Sequence, residues 1–295
     1  MELNTFYDYH SDNTRIGKSG LDLISKSPLK FYFERIWEGR APLDTKALRL
    51  GKFYHAYLFE PERLDLDFYI LKERAILASL IRGGAKSPRA TTVYKEWLAE
   101  QVEECGIKTM VSEEYSDLAQ PMKDALLRNP SIAALLNHKG ECEKTILWEC
   151  NGVKMKSKLD KYIAEFWAGI PELHELYGYE VIIDYKTTED ATDSGFAKSA
   201  YKYFYDKQNA MYVDSVGGNA KFIFIVQEKS FPYLAKIHQL SEEDIDRGRE
   251  IYQADVEKYK TCMEKFAATQ DVFASFEGYE NDKEINTIFL PNWAR

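Results

Sequence analysis

The chain has 295 residues, 45% of them hydrophobic and 14% aromatic, which is ample for a buried core and excludes a disordered polypeptide. A net charge of −9 argues against a general polyanion binder that works through overall positive charge. No stretch approaches the ~20 apolar residues of a membrane-spanning helix, and the N-terminus lacks the basic start and apolar run of a secretory signal, so no membrane association and a cytoplasmic location are expected.

The first part of the chain, roughly residues 1–138, reads as mostly helical. LDLISKSPLKFYFERIWEG carries apolar residues at helical spacing around Pro28, and TKALRLGKFYHAYLFEPER reads as a helix ending near Pro61. From Arg74 to Lys95 lie five basic residues, Arg89 among them, and no acidic one; the segment includes RGGAKSPRA, read as a Gly/Pro-broken loop that is either simply solvated or turned toward a nucleic acid. YKEWLAEQVEECG and SEEYSDLAQPMKDALLRNPSIAALLNHKG continue the helical pattern.

The period then changes. EKTILWEC, VKMKSKLDKYIAEF and YEVIIDYKTT are strand-like, the first two joined by Asn151-Gly152, a two-residue hairpin signal. A helix over about Ser194–Val216 follows, then the strands AKFIFIVQE and YLAKIHQL and a helix over about Glu242–Ala267. The order βββαββα predicts an α/β domain with a central mixed β-sheet flanked by helices and preceded by a helical N-terminal layer. The chain is read as one domain, 1–295, with a helical layer (1–138), a βββαββα core (139–267) and a C-terminal extension (268–295).

Val181-Ile182-Ile183 is apolar on both faces, as in a central strand, and stops abruptly at Asp184-Tyr185-Lys186. Strand side chains alternate with period two, so Asp184 and Lys186 project from one face. On the preceding hairpin Asp160 sits among alternating residues, from where a second carboxylate can converge on the first. Two carboxylates with a nearby histidine make a hard-oxygen site suited to Mg²⁺ or Mn²⁺. D-x-K alone is short and common. Upstream, Gly51 and His55 are spaced i,i+4, with Gly51 expected to let the helix approach closely while His55 points at the site; downstream, Gln208 and Tyr212 share the i,i+4 relation. The aromatic-rich AYKYFYDKQNAMY either packs a helix on its sheet or stacks bases. His10, His138 and His238 have no partners at ligand or triad spacing, and neither a Walker A loop nor a G-x-S-x-G elbow is present, so no nucleotide is expected.

The ordered set G-x-x-x-H, D, D-x-K, Q-x-x-x-Y resembles the PD-(D/E)XK nuclease superfamily, in particular its exodeoxyribonuclease VIII-like branch of phage and prophage recombination exonucleases. The likeness extends to SKSPLKFYFERIW, ALRLGKFYHAYLFEPERLDLDFYIL, SKLDKYI, IIDYKTTEDAT and the ending IFLPNWAR, so most of the chain is covered. It implies a restriction-endonuclease-like core in which His55, Asp160, Asp184 and the backbone carbonyl of Tyr185 face a metal. It makes Asp160, Asp184 and Lys186 catalytic, places Gln208 and Tyr212 in support of the site or against the DNA backbone, and puts Glu143 near a second metal position. The segment AGIPELHELYGYE, between Asp160 and Asp184, departs from many relatives and reads as a longer hairpin connection. Some nucleases of this class carry an iron–sulfur cluster near the C-terminus; Cys262 is the only cysteine after Cys150, and none of Cys105, Cys142, Cys150 and Cys262 forms a CxxC pair, so no iron–sulfur cluster is expected.

The resemblance implies a Mg²⁺-dependent exonuclease acting on double-stranded DNA ends in the 5′ to 3′ direction, leaving 3′ single-stranded tails for a recombinase or single-strand annealing protein. Processive digestion is easiest with a ring or closed channel, which a homo-oligomer would supply. The alternatives are an endonuclease or single-strand nuclease using the same site, and a non-catalytic DNA-binding module on the same fold.

Overall fold

The computed structural model describes residues 9, 12–37, 45–280 and 284–288. His10 and all of the IFLPNWAR ending after Ile288 lie outside them.

Five strands form one mixed sheet. With β1 (Phe68–Leu71) and β2 (Thr109–Ser112) paired separately as a short parallel ribbon, the main sheet comprises β3 (Glu141–Cys150), β4 (Val153–Ile163), β5 (Val181–Thr188), β6 (Lys221–Glu228) and β7 (Ala235–His238), in that spatial order. Only β5 and β6 run parallel; the other neighbours are antiparallel. The β3–β4 turn is built as its Asn-Gly pair predicts: Asn151 and Gly152 both have positive φ, 50° and 80°, which matches the twist of the two flanking strands.

The period-two alternation of β5 and β6 divides the interior into two cores. Ile182, Phe222, Phe224 and Val226 face one, built with the helices Lys18–Lys26, Tyr205–Ser215 and Glu242–Thr269. Val181, Ile183, Tyr185, Ile223 and Ile225 face the other, built with the helices Lys46–Phe59, Glu113–Leu127 and Pro130–Asn137. The N-terminal helical part is therefore shared between the two faces, with residues 18–36 on the side of the C-terminal helices. Val181, Ile182 and Ile183 are all fully buried, the expected state of a strand covered on both sides.

Local structure departs from the sequence expectation in three places. The helix expected over Ser194–Val216 is two helices, Asp193–Tyr203 and Tyr205–Ser215, broken at Phe204, which is left-handed at φ 55°, ψ 51°. Neither Gly nor Pro marks this break. The left-handed residue costs about 1–2 kcal/mol, a cost that tertiary contacts must offset. The segment Arg74–Lys95 holds more than the RGGAKSPRA loop, which is present: a helix at Arg74–Arg82 precedes it and a 3₁₀ turn at Pro88–Ala90 closes it. Finally, β1 and β2 each have four residues and pair in parallel across about forty residues of chain, which no local pattern signals.

The Tyr205–Ser215 helix is clamped. Lys207 is fully buried, with its ammonium 2.8 Å from Asp22 and 2.8 Å from Asp255, so that one cation joins three helices. Asp206 accepts from Arg247 and Asp214 from Arg249, both on the Glu242–Thr269 helix. The two helices touch at Gly248, where a Cβ would lie 2.3 Å from the backbone carbonyl of Asp206. Gly248→Val should therefore cost about 3 kcal/mol or more through forced separation of the helices; urea denaturation monitored by circular dichroism measures it, and a loss below about 0.5 kcal/mol would contradict this packing.

Candidate metal centre

Strand register builds the site. Glu143 stands opposite Asp160, between the pairs Cys142↔Lys161 and Lys144↔Leu159. On the other side of β4 the pairing with β5 ends at Lys161↔Ile183, and one step further the same register sets Asp160 beside Asp184. Three carboxylates therefore fall in a row across β3, β4 and β5. At that step β4 and β5 part, and the freed N–H of Tyr185 donates to Asp160 Oδ2 at 2.8 Å. Glu143 has φ 52°, a left-handed conformation rare outside glycine and often kept where a site needs it.

Cations compensate this row. His55, reaching in from the Lys46–Phe59 helix, has Nδ1 2.8 Å from Glu143 Oε1 and Nε2 2.7 Å from Asp160 Oδ2. Lys158 pairs with the other oxygen of Glu143. Lys186 Nζ lies 2.6 Å from Asp184 Oδ2, as period-two geometry requires, and Gln208 Nε2 donates to Asp184 Oδ1 at 2.6 Å. Tyr212, one turn beyond Gln208, is buried on the same side and lines the cleft beside His55 and Asp160. The phenol of Tyr185 donates to Gln227 Oε1 at 2.7 Å, and Gln227 donates in turn to the Met122 carbonyl, which ties the central strand to the helical side.

The electrostatics follow from this crowding. Burial alone would lower the His55 imidazole, but the Asp160 charge and hydrogen bonds to Asp160 and Glu143 outweigh it and raise the pKa from 6.5 to about 10. Burial would raise Asp160, yet His55 and Lys186 hold it below its ordinary value. Asp184 goes the other way: burial, only partly offset by Lys186 and reinforced by the Asp160 charge, pushes it from 3.8 to about 6. Lys186 is held above its ordinary value, because Asp184 and Asp160 outweigh its burial.

The donor set fits a divalent cation. His55, Glu143 and Asp160 each offer a ligand atom, all within 4.8 Å of one another. Asp184 Oδ2 is buried, and apart from its ion pair with Lys186 it has no hydrogen-bond donor among the described residues, which leaves lone pairs available. Imidazole with three carboxylates suits a hard, oxygen-preferring ion of the Mg²⁺/Mn²⁺ type.

The structure thus brings together His55, Glu143, Asp160, Asp184, Lys186, Gln208 and Tyr212. Glu143 enters the cluster through His55, while Asp184 is held on its far side by Lys186 and Gln208. The Tyr185 peptide meets the site through its N–H. Arg89 is engaged elsewhere: its exposed guanidinium donates at 2.7 Å to Glu73, which also accepts from the buried Tyr94, and Arg74 pairs with Asp117. The lack of acids within Arg74–Lys95 is thus made up by acids outside it. Gly51 does not serve close approach either, since a Cβ there would meet nothing within 4 Å. Sequence reasoning overlooked Lys158, although it stands two residues before Asp160 on β4 and so on the same face, from where it pairs with Glu143.

A mixed sheet whose central strand carries D-x-K where it parts from its antiparallel neighbour, with an acidic residue abreast of it on that neighbour, is the arrangement of a PD-(D/E)XK-type domain. Over residues 19–270 the sequence matches the family described as PDDEXK-like domain of unknown function (DUF3799), and the chain belongs to that family. A search of curated proteins finds no match to the sequence. Among solved structures, the chain is similar to a protein described as a "Putative exonuclease" from Eubacterium rectale, at 15% identity over 88% of this chain and 86% of that one, with a TM-score of 0.57. A phage related exonuclease from Haemophilus somnus 129PT aligns at 16% identity over 67% of this chain and 97% of that one, with a TM-score of 0.30, too low to carry an argument. The first of these shows a common fold. Among the described residues no helix is long and apolar enough to cross a membrane.

Because the His55 pKa is raised in the folded state, its contribution to stability is fully present below pH 6.5 and is lost as pH rises toward about 10. In EDTA the Tm advantage of the wild type over His55→Gln should shrink across that window, as read by differential scanning calorimetry; a constant difference would contradict the imidazolium assignment. A divalent cation must displace the same proton, so Mg²⁺ or Mn²⁺ binding should release a proton at pH 8, visible as a buffer-dependent binding enthalpy that His55→Gln removes.

Proposed function

We propose that the protein is a divalent-metal-dependent deoxyribonuclease, and that it acts as an exonuclease on double-stranded DNA ends, 5′ to 3′, leaving 3′ single-stranded tails for recombination. The observation that supports this best is the row Glu143–Asp160–Asp184 with Lys186 against its last member. Mg²⁺, or Mn²⁺ in its place, would be held by His55, Glu143, Asp160 and Asp184, to which the family resemblance would add the backbone carbonyl of Tyr185. It would supply polarisation of the phosphoryl oxygen and a water of lowered pKa.

The chain's own residues do the rest. Hydrolysis adds the oxygen of water to phosphorus and breaks the P–O bond to one sugar, whose oxygen leaves with a proton. Lys186, held protonated by two carboxylates, places positive charge where negative charge develops on phosphorus, and its raised pKa suits a donor better than a base. Asp184, raised by burial in the metal-free protein, is held in place by Lys186 and Gln208 and would offer its carboxylate to the cation. Gln208 fixes the orientation of Asp184 from the clamped helix. A cleft of about 610 Å³ opens beside His55 and Asp160; Lys52, Arg63, Lys108 and Lys158 line it together with Glu60, Asp67, Glu143 and Asp160, so its cations match its carboxylates and a phosphate backbone would meet walls less acidic than the chain as a whole. A ring of copies and a single-strand annealing partner would complete the reading and rest on the family resemblance alone.

Lys186→Met should lower DNA cleavage by about 10³-fold while leaving the melting temperature within a few degrees of wild type; normal cleavage by this variant would sink the mechanism. Linear duplex DNA labelled at either end should be digested from its 5′ ends in Mg²⁺, with covalently closed circles resistant. Comparable cutting of the circles would replace the exonuclease reading with an endonuclease.

A further inference from the structure

On the far side of Lys186 from the metal cluster lies a second groove of about 400 Å³, bounded by the end of β5, the Asp193–Tyr203 helix and Lys229. Its character is unlike that of the chain. Lys186, Lys198, Lys202 and Lys229 line it against Glu189 and Asp190, a positive balance in a protein of net charge −9. Lys198 and Lys202 are one turn apart on the same helix, are both exposed and form no salt bridge among the described residues. Like charges at this spacing repel, a cost that a polyanion would relieve.

Aromatic rings run through the same groove in contact with these cations. Lys186 Nζ lies 4.9 Å from the Tyr205 ring centroid, the Tyr205 and Tyr203 rings are 5.8 Å apart, and Lys202 Nζ is 5.1 Å from the Tyr203 ring. The left-handed break at Phe204 produces this arrangement: it leaves Tyr205 stacked inward on Phe196 and Phe224, while Tyr203 remains 48% exposed. In an unbroken helix residues two apart face nearly opposite sides, so it is the break that brings the two rings together. Cations alternating with rings, one of them open to solvent, form the combination by which proteins hold a single strand without reading its sequence, phosphates on lysines and bases on π-faces.

We propose that this groove binds a single-stranded polynucleotide, with Lys198 and Lys202 on its phosphates and Tyr203 stacked on a base. It thus holds an unpaired segment next to the bond cut at Lys186. This rests on the nuclease reading for its purpose but not for its measurement. Fluorescence anisotropy of the full chain in EDTA, with a labelled twelve-nucleotide oligothymidylate and a duplex of equal length as probes, separates the two.

Tyr203→Ala should weaken oligothymidylate binding by about 5-fold or more. Lys198→Gln/Lys202→Gln should weaken it and lower the slope of log K against log salt by roughly 0.7 per lysine. Both variants change exposed side chains, and a melting temperature equal to wild type confirms that they are folded. Unchanged affinity and slope in both variants would overturn the proposal, as would an equal loss of affinity for the duplex. An inactive wild type that still binds oligothymidylate through these residues would sink the nuclease reading and leave the groove standing. An active enzyme whose variants bind unchanged would do the reverse.

Discussion

Everything in this molecule depends on holding three carboxylates side by side at the point where β4 and β5 separate. Like charges at this spacing in a partly buried position are strongly unfavourable, and a bare row would protonate or unfold. Here each member of the row has its own compensation: Lys158 and His55 on Glu143, His55 and the Tyr185 N–H on Asp160, Lys186 and Gln208 on Asp184. The compensation is graded. Asp160 is held low by His55, Lys186 and the Tyr185 N–H together, whereas Asp184 is driven up by burial.

That electrostatic arrangement needs a rigid frame, and the two cores supply it. β5 is buried on both faces, so its register cannot slip without moving Val181 and Ile183 into the wrong core. The His55 helix belongs to one core and the Gln208 helix to the other, so the site is gripped from both sides of the sheet. The second grip is the more elaborate. A fully buried lysine between two aspartates is weak evidence for net stability, because desolvation consumes most of the attraction, but removing one partner of such a group costs about 3–5 kcal/mol. Lys207 therefore serves to fix where its neighbour Gln208 points.

Two clefts open from the site, one past His55 and Asp160 and one past Lys186. In the first, lysine and arginine match the carboxylates four to four; in the second, four lysines face Glu189 and Asp190. The second is thus locally positive in an acidic chain, which focuses the field toward Lys186.

The sequence alone determined the succession of the five main-sheet strands, the pairing of the first two as a hairpin and the two-faced burial of Val181–Ile183, because these depend on strand periodicity and on a hairpin whose turn residues are explicit; it placed D-x-K at the end of its strand, which in fact runs on beside β6 to Thr188. It also supplied Asp184 with Lys186, since two residues apart on one strand is a local relation. His55 and Gln208 could be named only through the spacing of a family pattern, because their helices have no local reason to meet a strand. Glu143 entered the same way, and only the β3–β4 register shows why: it stands opposite Asp160 and bonds His55. Lys158 was legible in principle, two residues from Asp160 on one strand and so on its face. Tertiary structure alone decided the rest. Arg89 and Arg74 look unpaired in sequence, but find Glu73 and Asp117 in space. The break at Phe204 carries no Gly or Pro, and the β1–β2 ribbon pairs residues far apart in the chain. These features arise from contacts between distant segments, whose energies exceed the local propensities that a sequence displays.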